Sequence, residues 1–279
     1  MFRLWRYIYP AGIHFGISNV LQLFYLLALS AFIGGRAFYE GGLINRYVIE
    51  LTGLTGLLTT VPCFLLYRKD QRNREYGRMI PKPAGSRIEV PGMILLLSLG
   101  AALSLYGNII VNFFARYIDL NIEGYSDQME VFENGKSLLL LIIFMGIVAP
   151  VAEEAVFRWL IYLRLRDAVG IFPALLISSL FFGIYHGNLV QAVYAGLLGA
   201  AFAFSMEMTG SILSPVLLHV GANGYSLVLD ELAGTAASGT AESIIDSFYG
   251  ISLMAGILII GVSFIWMIRR GRVRGYRAV

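Results

Sequence analysis

The sequence is poor in cysteine, in histidine and in charged residues. Its single cysteine, Cys63, excludes an intrachain disulfide and any metal cluster held by several thiolates. Charged residues make up only 14% of the 279 residues, whereas a water-facing globular surface needs about a quarter. The formal net charge is only +3, so no nucleic-acid partner is expected. These shortages exclude a soluble globular protein and a disulfide-stabilised one.

Apolar residues, in contrast, account for 57% of the chain. A membrane-spanning helix needs about 20 of them in succession. Eight candidate runs are present, at roughly residues 11–33, 46–67, 90–112, 137–163, 171–187, 189–207, 211–230 and 250–268, of which the fifth to seventh are short and closely joined. We therefore predict an all-α fold, a polytopic membrane helical bundle with about eight transmembrane helices. The first run is interpreted as a retained helix rather than a cleaved signal peptide, because no convincing small-residue cleavage site follows the N-terminus.

The charged connections between these runs predict the orientation in the membrane. The connections 116–136 and 230–246 are acidic, and the C-terminal tail is basic. Basic loops remain in the cytoplasm, so both termini are expected there, and the compact loops favour a prokaryotic cell membrane. The pair Arg164 and Arg166 is expected in a cytoplasmic loop. A topology anchor near anionic lipid headgroups is expected from the basic residues Arg68, Lys69, Arg72, Arg74, Arg78, Lys82 and Arg87.

Two glutamates and an arginine interrupt the fourth apolar run, in the stretch APVAEEAVFRWL at residues 149–160. A charged side chain at the centre of a spanning helix costs about 2.5–3.5 kcal/mol, so an intramembrane function is expected. Glu154 and Arg158 are four residues apart and can pair on one helix face. Glu153 points about 100° away and has no cation four residues later. The pattern indicates a braced Glu154 and an available Glu153, although a purely structural ion pair is the alternative interpretation.

Further polar residues lie in the fifth and seventh runs. The stretch FGIYH places Phe182 one turn before His186, and HVGAN places His219 one turn before Asn223. Counted along the helices from their cytoplasmic ends, these side chains lie roughly 12–22 Å deep, in the same slab as the glutamates. A carboxylate and an imidazole that share a water can activate it as a nucleophile. A second histidine and an amide can stabilise an oxyanion, so the set is typical of an amide hydrolase.

Other proteolytic sites are excluded because their motifs are absent. The sequence has no His-Glu-x-x-His, Gly-x-Gly-Asp or Gly-x-Ser-x-Gly motif, and Cys63 lies in a different run from His186 and His219. No metal or cofactor is expected, but zinc held by Glu153 and these two histidines stays open as an alternative. A proton-coupled transporter with buried Glu and His residues is a further alternative, although no inverted repeat is found.

The ordered motifs EExxxR, FxxxH and HxxxN, each in its own apolar run, resemble the CPBP family. This family, also called Abi, comprises CaaX proteases and bacteriocin-processing enzymes and includes the Rce1-type prenyl-protein endopeptidases. The resemblance covers about residues 137–230, and the first three runs show no family signature. It implies a glutamate-type intramembrane endopeptidase with eight helices and a cavity open to the cytoplasmic side.

The resemblance also implies roles for the motif residues. Glu153 and His186 would activate water, and His219 and Asn223 would form the oxyanion site. The paired glutamate and arginine of the first motif would support the cavity. We expect three regions: an N-terminal three-helix membrane region with a basic cytoplasmic loop (1–136), a catalytic core (137–230), and an outer loop with the last transmembrane helix and a basic tail (231–279).

The expected function is endopeptidase cleavage of a membrane-associated peptide or protein, with prenylated CaaX-type substrates as one option. The expected partners are this substrate and the lipid bilayer. The alternative is a non-catalytic membrane regulator or immunity protein that binds another membrane protein.

Overall fold

The computed structural model describes residues 2–33, 43–76, 87–117, 135–234 and 239–273. Within these ranges the regular secondary structure is helical, and no strand occurs. The helices are α1 (Phe2–Ile33), α2 (Leu43–Tyr76), α3 (Val90–Ala115), α4 (Leu138–Val169), α5 (Ile171–Tyr185), α6 (Leu189–Thr209), α7 (Leu213–Gly234) and α8 (Gly239–Val273). The prediction of an all-α fold is confirmed.

Six of these helices are long and apolar enough to cross a membrane, namely α1, α2, α3, α4, α6 and α8. The α5 helix is apolar but has only 15 residues. The α7 helix has 22 residues, but polar residues such as His219, Asn223 and Asp230 lower its mean hydropathy. The polytopic helical bundle is therefore confirmed, and the fifth and seventh predicted runs are its least typical helices.

The ends of several helices differ from the predicted boundaries. The α2 helix continues to Tyr76, so the basic residues from Arg68 to Arg74 are helical rather than part of a loop. The α8 helix already begins at Gly239, inside the predicted outer loop. Residues 77–86, 118–134, 235–238 and 274–279, which include most of the predicted loops and the basic tail, lie outside the described residues.

The chain divides into two compact units. The first comprises residues 1–80 and 121–170 and contains α1, α2 and α4. In this unit α2 packs along α4, and α1 packs against both. A close contact at Gly53 shows how tightly α2 and α4 approach, because a Cβ there would lie 2.0 Å from the Phe144 ring.

The second unit comprises residues 81–120 and 171–279 and contains α3, α5, α6, α7 and α8. Its main helix pairs are α3 with α7 and α5 with α6. Large apolar side chains on α8, such as Met254 and Leu258, are 77% and 70% exposed. Such a face is suited to lipid tails, which agrees with a membrane-embedded bundle.

Three arginines expected at the membrane surface, Arg74, Arg164 and Arg166, are instead buried in the first unit. Arg164 is 3% and Arg74 is 4% exposed. Arg164 Nε lies 2.6 Å from Asp70, and Arg74 Nε lies 2.6 Å from Asp167. The guanidinium of Arg164 also donates to the Tyr9 hydroxyl and lies 4.6 Å from the centre of that ring. The interpretation of Arg74 and Arg164 as loop charges was wrong. Each arginine forms an ion pair inside the bundle with a carboxylate almost a hundred residues away.

Candidate active site

The glutamates of the first motif lie in a short stretch of α-helix between two π-helical segments of α4. The π segments are Ile142–Val148 and Phe157–Tyr162, and the α-helical stretch between them is Ala149–Val156. Pro150 has no N–H to donate, so it interrupts the backbone hydrogen bonds where the first π segment ends. Such π segments are rare and are frequently found at functional sites.

Glu154 and Arg158 form a fully buried ion pair. Arg158 Nε lies 3.1 Å from Glu154 Oε2, and both side chains are 0% exposed. The four-residue spacing of the pair is maintained although Arg158 lies inside the second π segment. A buried pair of this kind holds its helix in one conformation, since breaking it leaves an uncompensated charge.

Glu153 occupies a different environment from its neighbour. It is half-buried, whereas Glu154 is completely buried. Glu153 nevertheless interacts electrostatically with Arg158, five residues later. Sequence reasoning considered only the i+4 position and therefore missed this contact. A second group of this environment is contributed by another helix, because the buried imidazole of His14 in α1 also interacts electrostatically with Glu153.

His186 lies directly after the last residue of α5 and is half-buried. Its Nδ1 lies 2.8 Å from the carbonyl oxygen of Phe182, one turn earlier. A carbonyl can only accept a hydrogen bond, so Nδ1 carries the proton in this contact, which in the neutral imidazole leaves the lone pair on Nε2. Gly187 follows with a φ of +75°, a conformation that favours glycine and ends the helix beside the imidazole.

His219 is held between two phenylalanine rings in the second unit. Its ring stacks on Phe202 at a centroid distance of 4.8 Å and an angle of 25°. Phe182 meets it edge to face at 5.7 Å and meets His186 at 4.9 Å. Phe182 therefore separates and orients both histidines, which explains why an aromatic residue stands one turn before His186.

Close backbone contacts place the helices that carry these histidines. A Cβ at Gly221 would lie 2.0 Å from the Leu97 carbonyl oxygen, and a Cβ at Gly100 would lie 1.9 Å from that of Leu218. Helices α3 and α7 consequently touch backbone to backbone beside His219. At Gly183, a Cβ would lie 2.4 Å from the carbonyl oxygen of Ala192 in α6. The positions of both imidazoles thus depend on glycines at helix crossings.

Asn223 follows His219 by one turn of α7 and is half-buried. Further along the same helix, Ser226 Oγ lies 2.9 Å from Ser104 Oγ of α3. The Tyr194 hydroxyl of α6 donates to Ser104 at 2.7 Å. These hydroxyl groups link three helices, α3, α6 and α7.

Sequence reasoning also missed a buried acid, Glu207 of α6, which is 0% exposed. The signal that could have found it is the stretch FAFSMEMTG, where a charged residue interrupts an apolar run. Next to it, the α6–α7 turn is held by hydroxyl bonds between Thr209 and Ser214.

The six predicted site residues are distributed over both units, three in each. In the first unit the structure brings Glu154 to Arg158, and Glu153 lies within electrostatic reach of the same guanidinium. In the second unit, His186 and His219 both contact the ring of Phe182. Among the described residues, no group of three or more His, Cys, Asp or Glu side chains is arranged to hold a metal ion.

Comparison with known proteins identifies the segment that carries these residues. Residues 135–225 match the family described as type II CAAX prenyl endopeptidase Rce1-like. This part of the chain is similar to the Rce1-like proteins of the CPBP family. The matched segment contains all three motifs, so the resemblance noted from the sequence is confirmed.

Three relatives share parts of this segment. YdiL of Bacillus subtilis, whose name describes a candidate membrane peptidase, is 36% identical over 90 residues, covering 32% of this chain and 37% of that protein. The membrane-embedded CAAX protease MroQ of Staphylococcus aureus is 28% identical over 114 residues, or 38% of this chain and 46% of that protein. CAAX prenyl protease 2 of Homo sapiens is 32% identical over 93 residues, or 26% of this chain and 28% of that protein.

The chain spans less than half the length of each of these relatives. No solved structure gives a significant match. The family match falls on the segment from α4 to α7.

Proposed function

We propose that this protein is a glutamate-type intramembrane endopeptidase of the CPBP family that hydrolyses a peptide bond of a membrane-associated peptide or protein. The observation that carries the proposal is the contrast between half-buried Glu153 and the fully buried Glu154–Arg158 pair beside it. One carboxylate is held by a guanidinium inside the helix, while its neighbour keeps an accessible face in the segment that matches the family.

In the proposed mechanism Glu153 is the general base. It accepts a proton from a water molecule, and the oxygen of that water attacks the carbonyl carbon of the scissile bond. His186 orients the water through Nε2, the nitrogen left with the lone pair by the Nδ1 contact to Phe182. The proton taken up by Glu153 then passes to the leaving amine as the C–N bond breaks.

His219 and Asn223 stabilise the oxyanion that develops on the attacked carbonyl. Donors that are already oriented before the reaction contribute most, because they need no reorganisation. The stacking of His219 on Phe202 fixes the plane of its ring and supports this role. Glu154 and Arg158 act as the structural support of the α4 segment that carries Glu153.

The proposal extends to localisation and substrate. In this proposal both termini face the cytoplasm, because basic connections favour that side, and the compact loops favour a prokaryotic cell membrane. The names of MroQ and CAAX prenyl protease 2 make a CaaX-type peptide with a lipidated C-terminus the first substrate class to examine.

The test is peptide cleavage by purified protein in lipid nanodiscs, with wild type compared to Glu153→Gln. Quenched fluorescent peptides are supplied with and without a C-terminal lipid, each with and without a metal chelator. Glu153→Gln keeps the size and the hydrogen-bonding capacity but removes the base, so we expect the rate to fall by about 10²–10⁴-fold. Glu89→Gln, the same change at an exposed site before α3, is the matched control and should cleave like wild type.

Each arm of this experiment has a distinct meaning. Chelator-insensitive cleavage that is lost only in Glu153→Gln supports the glutamate mechanism. Cleavage abolished by the chelator contradicts it and favours zinc. Equal activity of wild type and Glu153→Gln contradicts the role of Glu153. No cleavage by well-folded wild type across the peptide set favours a binding partner over an enzyme.

A further inference from the structure

The α1 helix is mostly apolar and has one buried polar side chain among its residues whose burial is described. Among the residues of α1 whose burial is described, only Pro10 and His14 are buried. They are four residues apart and therefore lie on the same face, one above the other. His14 is 7% exposed, and its Nε2 atom is shielded from solvent. A buried imidazole in a spanning helix is costly unless it has a partner.

The geometry of the first unit shows what this face meets. The α1 helix packs against α2 and against the part of α4 that carries the first motif. In α2 the buried hydroxyls of Thr55 and Thr59 donate to carbonyl oxygens of their own helix. The group in α4 with which His14 interacts electrostatically is Glu153.

Two helices, α4 and α1, therefore contribute groups to the electrostatic environment of Glu153. Arg158 approaches from the same helix, with its main partner in Glu154. His14 approaches from α1. A carboxylate that must accept a proton from water needs a fixed orientation, and a small misplacement of a reacting group can cost about 10²-fold in rate.

We propose that His14 of α1 is a positioning residue for Glu153: its imidazole holds the carboxylate in the orientation needed for water activation. The proposal rests on the proposed function of Glu153 as general base. It gives α1, which lies outside the segment that matches the family, a direct part in the site. A buried histidine that merely fills the helix interface is the competing structural explanation.

The experiment combines cleavage kinetics with stability, so that the two explanations predict different results. His14→Leu removes the polar group, and His14→Gln retains a side chain that can donate a hydrogen bond. Asn19→Leu is the matched control, because Asn19 is an exposed polar residue of the same helix and bonds the carbonyl of Phe15 at 2.7 Å. We expect His14→Leu to lower kcat by about 10- to 100-fold with little change in KM. His14→Gln should recover most of this loss, and Asn19→Leu should behave like wild type.

Thermal unfolding of the double-mutant cycle provides a readout that needs no activity. If His14 acts on Glu153, the fall in Tm caused by His14→Leu will be smaller in the Glu153→Gln background than in wild type. Equal falls in both backgrounds would overturn the proposal, as would an unchanged kcat in His14→Leu. An inactive wild type would contradict the proposed function instead, while the unfolding cycle would still decide whether the two side chains interact.

Discussion

The two units of the molecule hold their buried polar groups in different ways. The first unit uses ion pairs, which join Arg74 to Asp167, Arg164 to Asp70, Lys136 to Glu50 and Arg158 to Glu154. The second unit uses ring contacts and hydroxyl bonds, with histidines against phenylalanine rings and hydroxyl groups bonded between helices. In the described residues, the first unit thus pairs its buried charges, whereas the second orients imidazole and hydroxyl groups and contains one fully buried acid, Glu207.

This difference matches the two roles in the proposed reaction, with the general base in the first unit and the oxyanion site in the second. A general base must keep a charge, and a charge inside a membrane needs compensating ions. An oxyanion site needs donors fixed in space, which ring stacking and close helix packing supply without any net charge. Four predictions test whether the two units really depend on these different interactions, in order of decreasing effect.

Arg158→Ala should have the largest effect. The substitution leaves Glu154 buried without its guanidinium, which typically costs about 3–5 kcal/mol of stability. We expect a clearly lower Tm in nanodiscs and loss of cleavage. A Tm equal to that of wild type would show that the Glu154–Arg158 pair does not stabilise the first unit. The double variant Arg158→Met with Glu154→Leu, which removes both charges, should recover much of the lost stability.

Gly221→Ala should be the most damaging of the small changes in the second unit. The added Cβ would lie 2.0 Å from the Leu97 carbonyl oxygen, so α3 and α7 would have to separate, at a cost of about 1–3 kcal/mol. Because His219 lies on α7 two residues earlier, kcat should fall as well. Gly224→Ala, at a position with nothing within 4 Å of the new Cβ, is the control and should remain close to wild type.

Phe202→Leu should have a smaller effect on stability than on activity. The change keeps an apolar side chain in the interior but removes the ring that stacks on His219 at 4.8 Å. Aromatic contacts of this kind contribute about 0.5–1.5 kcal/mol. We expect a modest fall in Tm and a larger relative fall in kcat, measured on the same preparation. A fall in Tm with unchanged kcat would contradict the view that Phe202 orients His219.

Lys136→Met should have the smallest effect, although it also removes an ion pair of the first unit. Lys136 Nζ lies 2.7 Å from Glu50, whose side chain is 30% exposed. Partly exposed pairs contribute about 0–1 kcal/mol, so Tm should change little and cleavage should be retained. A loss as large as that of Arg158→Ala would show that burial is not what makes the Arg158 pair important.

Local contacts in this protein were predictable because they are encoded by spacing along one helix. The pairing of Glu154 with Arg158 follows from four residues of separation, and the structure confirms it at 3.1 Å. The placement of Phe182 one turn before His186 was visible in the same way. The contact between Glu153 and Arg158 was missed, because it involves an i, i+5 pair at a π segment that the hydropathy pattern does not indicate.

Long-range contacts could not be predicted from the same patterns. Arg74 and Arg164 lie among residues that have the composition of a cytoplasmic loop. Both are nevertheless buried and form ion pairs with carboxylates in another helix. His14 was the one histidine without a motif, and only the packing of α1 against α4 brings it to Glu153. Burial of this kind depends on which helices pack against each other. The apolar periodicity within each helix does not specify that packing.

The sequence by itself determined that the chain is a membrane-embedded helical bundle and that three polar motifs stand in order within it. Long apolar runs allow few other folds in a bilayer, where each backbone group must be satisfied within its own helix. The tertiary structure decided which partner each buried charge has and how the two histidines are oriented around Phe182. Those properties arise from contacts between residues far apart in the chain, and they exist only once the helices have packed.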